Sequence, residues 1–209
     1  MKMAGRKPDE DKTTTFEIRC LPMLKSRITQ SISNLRTLLS DPSVLSKIAQ
    51  AAEFILLAIE SGNKLMICGN GGSAADAQHV AGEFVCKFYQ DRQPIAAIAL
   101  STDTSVLTAV SNDYSYNHVF SRQVQAIGKR GDVLLGVSTS GNSANVLEAF
   151  RTARQLEIGT ILFTGKSNHD IARYSNIIIN VPSSDIPRIQ EMHLLIEHLI
   201  CEIVESELF

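Results

Sequence analysis

The chain has 209 residues, 44% of them apolar and 20% charged, with a formal net charge of -2. That composition is ordinary for a globular protein, and the length suits one sizeable core rather than two. The near-balanced charge gives no general attraction to nucleic acid or to an anionic membrane. Four cysteines, Cys20, Cys68, Cys86 and Cys201, form no CxxC pair and suit reduced thiols in the cytoplasm better than a disulfide framework. Residues 1–15 are polar where a signal peptide would be apolar, and the longest apolar runs are interrupted and shorter than a membrane span.

Residues 1–16 have little to bury and read as a flexible tail, leaving 17–209 as a single domain. From Leu21 to Gly62 apolar residues recur at helical spacing. Ile28, Ile32, Leu35, Leu38 and Leu39 form one stripe, and Ile48, Ala51, Phe54, Ile55 and Ala58 another. Asp41-Pro42-Ser43 separates them, which predicts two helices joined by a turn. Beyond Asn63 the period changes. Short runs rich in Val, Ile and Leu at 64–68, 95–100, 133–137, 160–163 and 177–181 alternate with helical patterns at 74–88, 116–127 and 144–155. This alternation predicts an α/β fold, with a parallel sheet covered on both faces and a helical N-terminal arm. The chain closes with a helix over 187–205, apolar on more than one side, which predicts burial in the fold or against another subunit.

Two polar loops follow predicted strands. The first, Gly69-Asn70-Gly71-Gly72-Ser73, precedes a helix; its small residues let a ligand approach the backbone, and the helix start offers unpaired N–H groups. It has neither GxGxxG spacing nor a Walker lysine, which argues against a dinucleotide or ATP. The second is Ser138-Thr139-Ser140-Gly141-Asn142-Ser143. Four hydroxyls beside a helix start exceed what a helix cap needs and predict a phosphate nest at the carboxyl edge of the sheet.

His79 and Glu83 stand four apart on one predicted helix face, and the last helix carries Gln190, His193 and His198. Such groups can hold zinc or move protons, whereas an isolated His/Glu pair is more often a surface ion pair. His193 and His198 face different directions, so at most one joins His79 and Glu83. Asn112-Asp113 forms a further polar pair near a predicted strand end, or else an ordinary turn between helices.

Taken together, residues 68–83 (CGNGGSAADAQHVAGE), 112–117 (NDYSYN), 131–145 (GDVLLGVSTSGNSAN) and 187–198 (PRIQEMHLLIEH) resemble the sugar isomerase (SIS) domain family, and within it the heptose phosphate isomerases. The resemblance runs from about Leu24 to Phe209. It implies a three-layer sandwich with a five-stranded parallel sheet, assembled as a homotetramer with active sites at subunit boundaries. It implies substrate contacts from Asn70, Gly71, Gly72, Glu83, Asn112, Asp113, Ser138, Thr139, Ser140, Ser143 and Gln190. It also implies one zinc per subunit, held by His79, Glu83, Gln190 and His198. Ser167-Asn168-His169 depart from the Asp-Gly-Gly usual in the family.

The reaction this implies is conversion of sedoheptulose 7-phosphate into D-glycero-D-manno-heptose 7-phosphate through an enediol, supplying heptose for lipopolysaccharide or another surface glycan. Glu83 would take the carbon-bound proton, and His198, with an ordinary pKa near 6.5, would serve the oxygens. Neither nucleic acid nor a membrane is expected as a partner. The contrasting expectations are a non-catalytic SIS protein that binds the replication initiator DnaA, and a sugar-phosphate sensor. Neither requires Glu83 and His198.

Overall fold

The computed structural model describes residues 10–165 and 170–209, and within them two leading helices precede an alternation of strands and helices. These are α1 (Glu10–Leu39) and α2 (Pro42–Glu60), then β1 (Leu65–Gly69), α3 (Gly72–Val85), β2 (Ala97–Ala99), α4 (Thr104–Asp113) and α5 (Val119–Ile127). They are followed by β3 (Val133–Val137), α6 (Ala144–Gln155), β4 (Gly159–Thr164), β5 (Ile177–Asn180) and α7 (Ile186–Leu208). The break between α1 and α2 has a local cause: the Asp41 carboxylate accepts from the amides of Ser43 and Val44, and Pro42 opens the helix.

All strand pairs are parallel, in the order β2-β1-β3-β4-β5. The two-residue repeat of each strand sends its side chains to opposite faces. Leu65, Ile67, Val133, Leu135, Ile161 and Phe163 meet apolar residues of α2, α3 and α7. Met66, Cys68, Leu134 and Leu162 meet those of α5 and α6. The result is the expected three-layer sandwich with a five-stranded parallel sheet. Asp132 fastens the amino edge of the sheet, accepting from Lys64 N, Lys64 Nζ and Lys129 N at 3.1, 2.6 and 2.8 Å.

Several details differ from the sequence reading. α1 starts at Glu10, inside the segment expected to be a tail, because no glycine or proline separates Glu10 from Leu21 and the helix continues through the polar stretch. Residues 1–9 and the departure at Ser167-Asn168-His169 lie outside the described residues. α2 is long and apolar enough, by length and composition, to cross a membrane, contrary to the sequence expectation. Its buried stripe, Val44, Ile48, Ala51, Ala52, Ile55 and Ala58, packs into the core with β5 and α7. Asn112-Asp113 closes α4 and does not sit at a strand end; it leads through a 3-10 turn into α5, as the turn-between-helices alternative expects.

Candidate active site

The strand order reverses between β1 and β3, and in open α/β sheets the crevice outside the carboxyl ends at such a point is where ligands bind. Both polar loops open there. A reciprocal amide pair joins them: Asn70 Nδ2 donates to Asn145 Oδ1 at 2.9 Å, and Asn145 Nδ2 donates to Asn70 Oδ1 at 2.8 Å. The Tyr116 hydroxyl also donates to Asn70 Oδ1, at 3.0 Å. Asn145 is buried and its own oxygen accepts from Val146 N, so Asn70 is oriented from beneath before any ligand arrives.

At the first loop, a Cβ on Gly72 would fall on the amide of Gln190, which would have to move to admit it. Gln190 of α7 therefore lies over the first turn of α3, whose helix also carries His79 and Glu83. In the second loop, Gly141 has φ 66°, a left-handed turn that suits glycine, and its amide donates to Ser138 O. Ser143 is the cap residue of α6, yet its hydroxyl makes no capping bond; it pairs with the buried Ser138 hydroxyl at 2.9 Å. Ser140 Oγ accepts from Asn142 N. A plain N-cap would spend Ser143 on the helix amides. Here that hydroxyl is held beside the helix start instead, an arrangement suited to an anion. A cleft of about 330 Å³ adjoins the loop, with Thr139, Ser140 and Asn142 on one side and Ser183, Ser184 and Ile189 on the other.

His79, Glu83 and His198 converge. Their ligand atoms all lie within 4.8 Å of one another. His79 Nε2 is 2.7 Å from His198 Nε2 and 3.6 Å from Glu83 Oε1. Two imidazole nitrogens and a carboxylate oxygen this close together form a donor set that suits zinc. Asn112 and Asp113 are brought to neither loop by any described contact; both are exposed, and Asn112 Nδ2 donates to Asp113 Oδ1.

His193 points elsewhere, as its spacing from His198 predicts: it is fully buried beside Phe163, and burial pulls its pKa down to about 4. Spacing does not show which polar groups are buried at the α3/α7 contact. Glu197 is buried with both oxygens unpartnered, and burial, then the Asp76 charge, pushes its pKa up to about 8. Asp76 is raised by burial against a lowering from His79, and its Oδ2 has no partner. Asn145 and Tyr116 were also missed as positioning groups, although both lie inside the sequence motifs. A larger hollow of about 510 Å³ lies at the opposite, amino edge of the strands, lined by Phe54, Asn63, Arg154, Glu157 and Tyr174 among others. It gathers no histidine, cysteine or unpartnered buried polar atom, so the carboxyl edge is the chemical one.

Residues 30–165 match the SIS domain family. The phosphoheptose isomerase of Clostridium acetobutylicum is 48% identical over 186 residues, covering 89% of this chain and 95% of that protein. Phosphoheptose isomerase 2 of Campylobacter jejuni is 50% identical over 186 residues, covering 89% and 92%. Among solved structures, phosphoheptose isomerase GmhA from Neisseria gonorrhoeae superposes with a TM-score of 0.84 at 41% identity, over 89% of this chain and 98% of that one.

Proposed function

Since this chain belongs to the SIS domain family and, within it, to the phosphoheptose isomerases, we propose that it converts sedoheptulose 7-phosphate into D-glycero-D-manno-heptose 7-phosphate through an enediol. It is an aldose–ketose isomerase, and the convergence of His79 and Glu83 on α3 with His198 on α7 is the observation that carries the assignment of roles.

Glu83 takes a proton from C1 of the ketose and, after exchange with solvent, delivers one to C2, while His198 moves protons between the two oxygens. Glu83 turns Oε1 toward His79, and Oε2 is the oxygen assigned to the carbon-bound proton. Zinc held by His79, Glu83, Gln190 and His198 would supply Lewis-acid stabilisation of the developing oxyanion. Ser138, Thr139, Ser140 and Ser143 hold the phosphate at the far end, and that remote binding positions the sugar. Asn70, Gly71 and Gly72 bring backbone and amide groups to the sugar chain, with Asn112 and Asp113 joining from α4.

The homotetramer is supported by unpartnered apolar surface. Leu21, Leu24, Ile28, Ile32, Leu35 and Leu39 run along one side of α1 and are exposed, as are Leu194, Leu195 and Leu199 on α7. A cytoplasmic enzyme supplying heptose to lipopolysaccharide or another surface glycan is the matching cellular role. The initiator-binding and sensor readings are not favoured, because neither explains His79, Glu83 and His198 gathered within 4.8 Å of one another. Incubating zinc-loaded protein with sedoheptulose 7-phosphate and following the aldose by NMR tests the proposal. Aldose formation is expected. A folded protein that binds the sugar phosphate without turnover would return the site to a sensor.

A further inference from the structure

The segment between α3 and β2 has no role in the reaction as described so far, yet a single side chain organises it. Glu205, near the end of α7, accepts from Phe88 N at 2.8 Å and Arg92 Nε at 2.7 Å through Oε1. Through Oε2 it accepts from Tyr89 N at 2.6 Å and Gln90 N at 3.0 Å. The side chains of Arg92 and Glu205 are both only 2% exposed. Arg92 directs its remaining donors at backbone carbonyls: Phe84 O at 2.9 Å, Gln93 O at 3.1 Å, and Glu83 O at 2.9 Å.

Two consequences reach the reacting groups. The guanidinium fixes the carbonyl of Glu83 at the last turn of α3, where the helix's own hydrogen bonds run out. The carboxylate fixes the amide of Phe88, whose ring stands 5.7 Å from the His198 ring between centroids. One ion pair therefore touches the supports of both the base and the acid. Stability is a weak reason for such a pair, because buried ion pairs are often no more stabilising than apolar residues of the same volume. Positioning is a stronger one.

We propose that Arg92 and Glu205 are positioning residues for the isomerisation, holding the Glu83 backbone directly and the His198 ring through Phe88. This rests on the assignment of Glu83 and His198 as base and acid. The test compares Glu205→Gln, Arg92→Lys, Phe88→Leu and Phe88→Tyr with the wild type, and uses Glu83→Gln as the reference for loss of the base. kcat and KM for sedoheptulose 7-phosphate are read separately, with zinc affinity by chelator competition and melting temperature alongside. Glu205→Gln, Arg92→Lys and Phe88→Leu are expected to lose about 10- to 100-fold in kcat with KM little changed, the signature of displaced reacting groups. Phe88→Tyr keeps the ring and should keep kcat. Phe88→Leu leaves the ion pair intact, so it decides the matter even if the charge variants fold poorly. Wild-type kcat in Phe88→Leu, or lower melting temperatures at unchanged kcat in the charge variants, would overturn the proposal. Wild-type activity in Glu83→Gln would instead remove the assigned base on which it rests.

Discussion

Glu197 and Glu205 lie two turns apart on α7, are almost equally buried, and have opposite electrostatic fates. At Glu205, burial alone would raise the pKa, but the amides of Phe88, Tyr89 and Gln90 and then the Arg92 guanidinium pull it down to about 2. At Glu197 nothing compensates: both oxygens are unpartnered, and burial with the Asp76 charge pushes it up to about 8. The contrast separates two uses of one helix. Its C-terminal end anchors a loop with a satisfied charge. Its middle, next to His198, leaves polar atoms unpaired beneath the site, and such groups concentrate where chemistry, not stability, sets the sequence.

The sharpest way to break this contrast is Glu205→Ala. It strands the Arg92 charge and leaves three amides without their acceptor, so a loss of about 3–5 kcal/mol is expected in urea unfolding. The same group gives a pH signature. Its folded pKa lies below the unfolded value of 4.5, so its stabilisation is complete above that value and is lost as pH falls toward about 2. Glu205→Gln should lack that acid slope.

The phosphate nest offers an intermediate case, because the Ser138 and Ser143 hydroxyls satisfy each other until an anion replaces one partner. Ser138→Ala should raise KM by about 10-fold or more, as expected for losing a hydrogen bond to a charged group, with melting almost unchanged.

Glu197→Gln should have the smallest effect, and of opposite sign to Glu205→Ala. Folded Glu197 keeps its proton above the pH at which the unfolded chain releases it, so stability of the metal-free protein declines between pH 4.5 and about 8. The variant removes that decline and should match or exceed the wild type at pH 8. A variant less stable at every pH would mean that Glu197 has found a partner in solution.

Periodicity made most of the fold legible. β3 and α6 lie where the spacing of Val, Leu and Ala predicts, because their apolar faces are set by local pattern. The start of α1 was not, since polar composition cannot distinguish a tail from an exposed helix. Within the site, the loops and the His79/Glu83 pair could be read because their members are close in sequence. The pairing of His79 with His198, 119 residues apart, and of Phe88 with Glu205, 117 apart, is a property of α3 packing on α7. No spacing rule reaches that far; spacing left His193 and His198 as alternatives, only the resemblance chose His198, and nothing brought Glu205.

The most direct measurement is isomerisation of sedoheptulose 7-phosphate in D2O, followed by NMR for the wild type, Glu83→Gln and His198→Ala. Proton transfer through an enediol predicts deuterium at C2 of the heptose product with the wild type. Both variants should lose turnover and exchange together, by about 10²- to 10⁴-fold, while remaining folded. Turnover that survives in Glu83→Gln would contradict the assignment of Glu83 as the base.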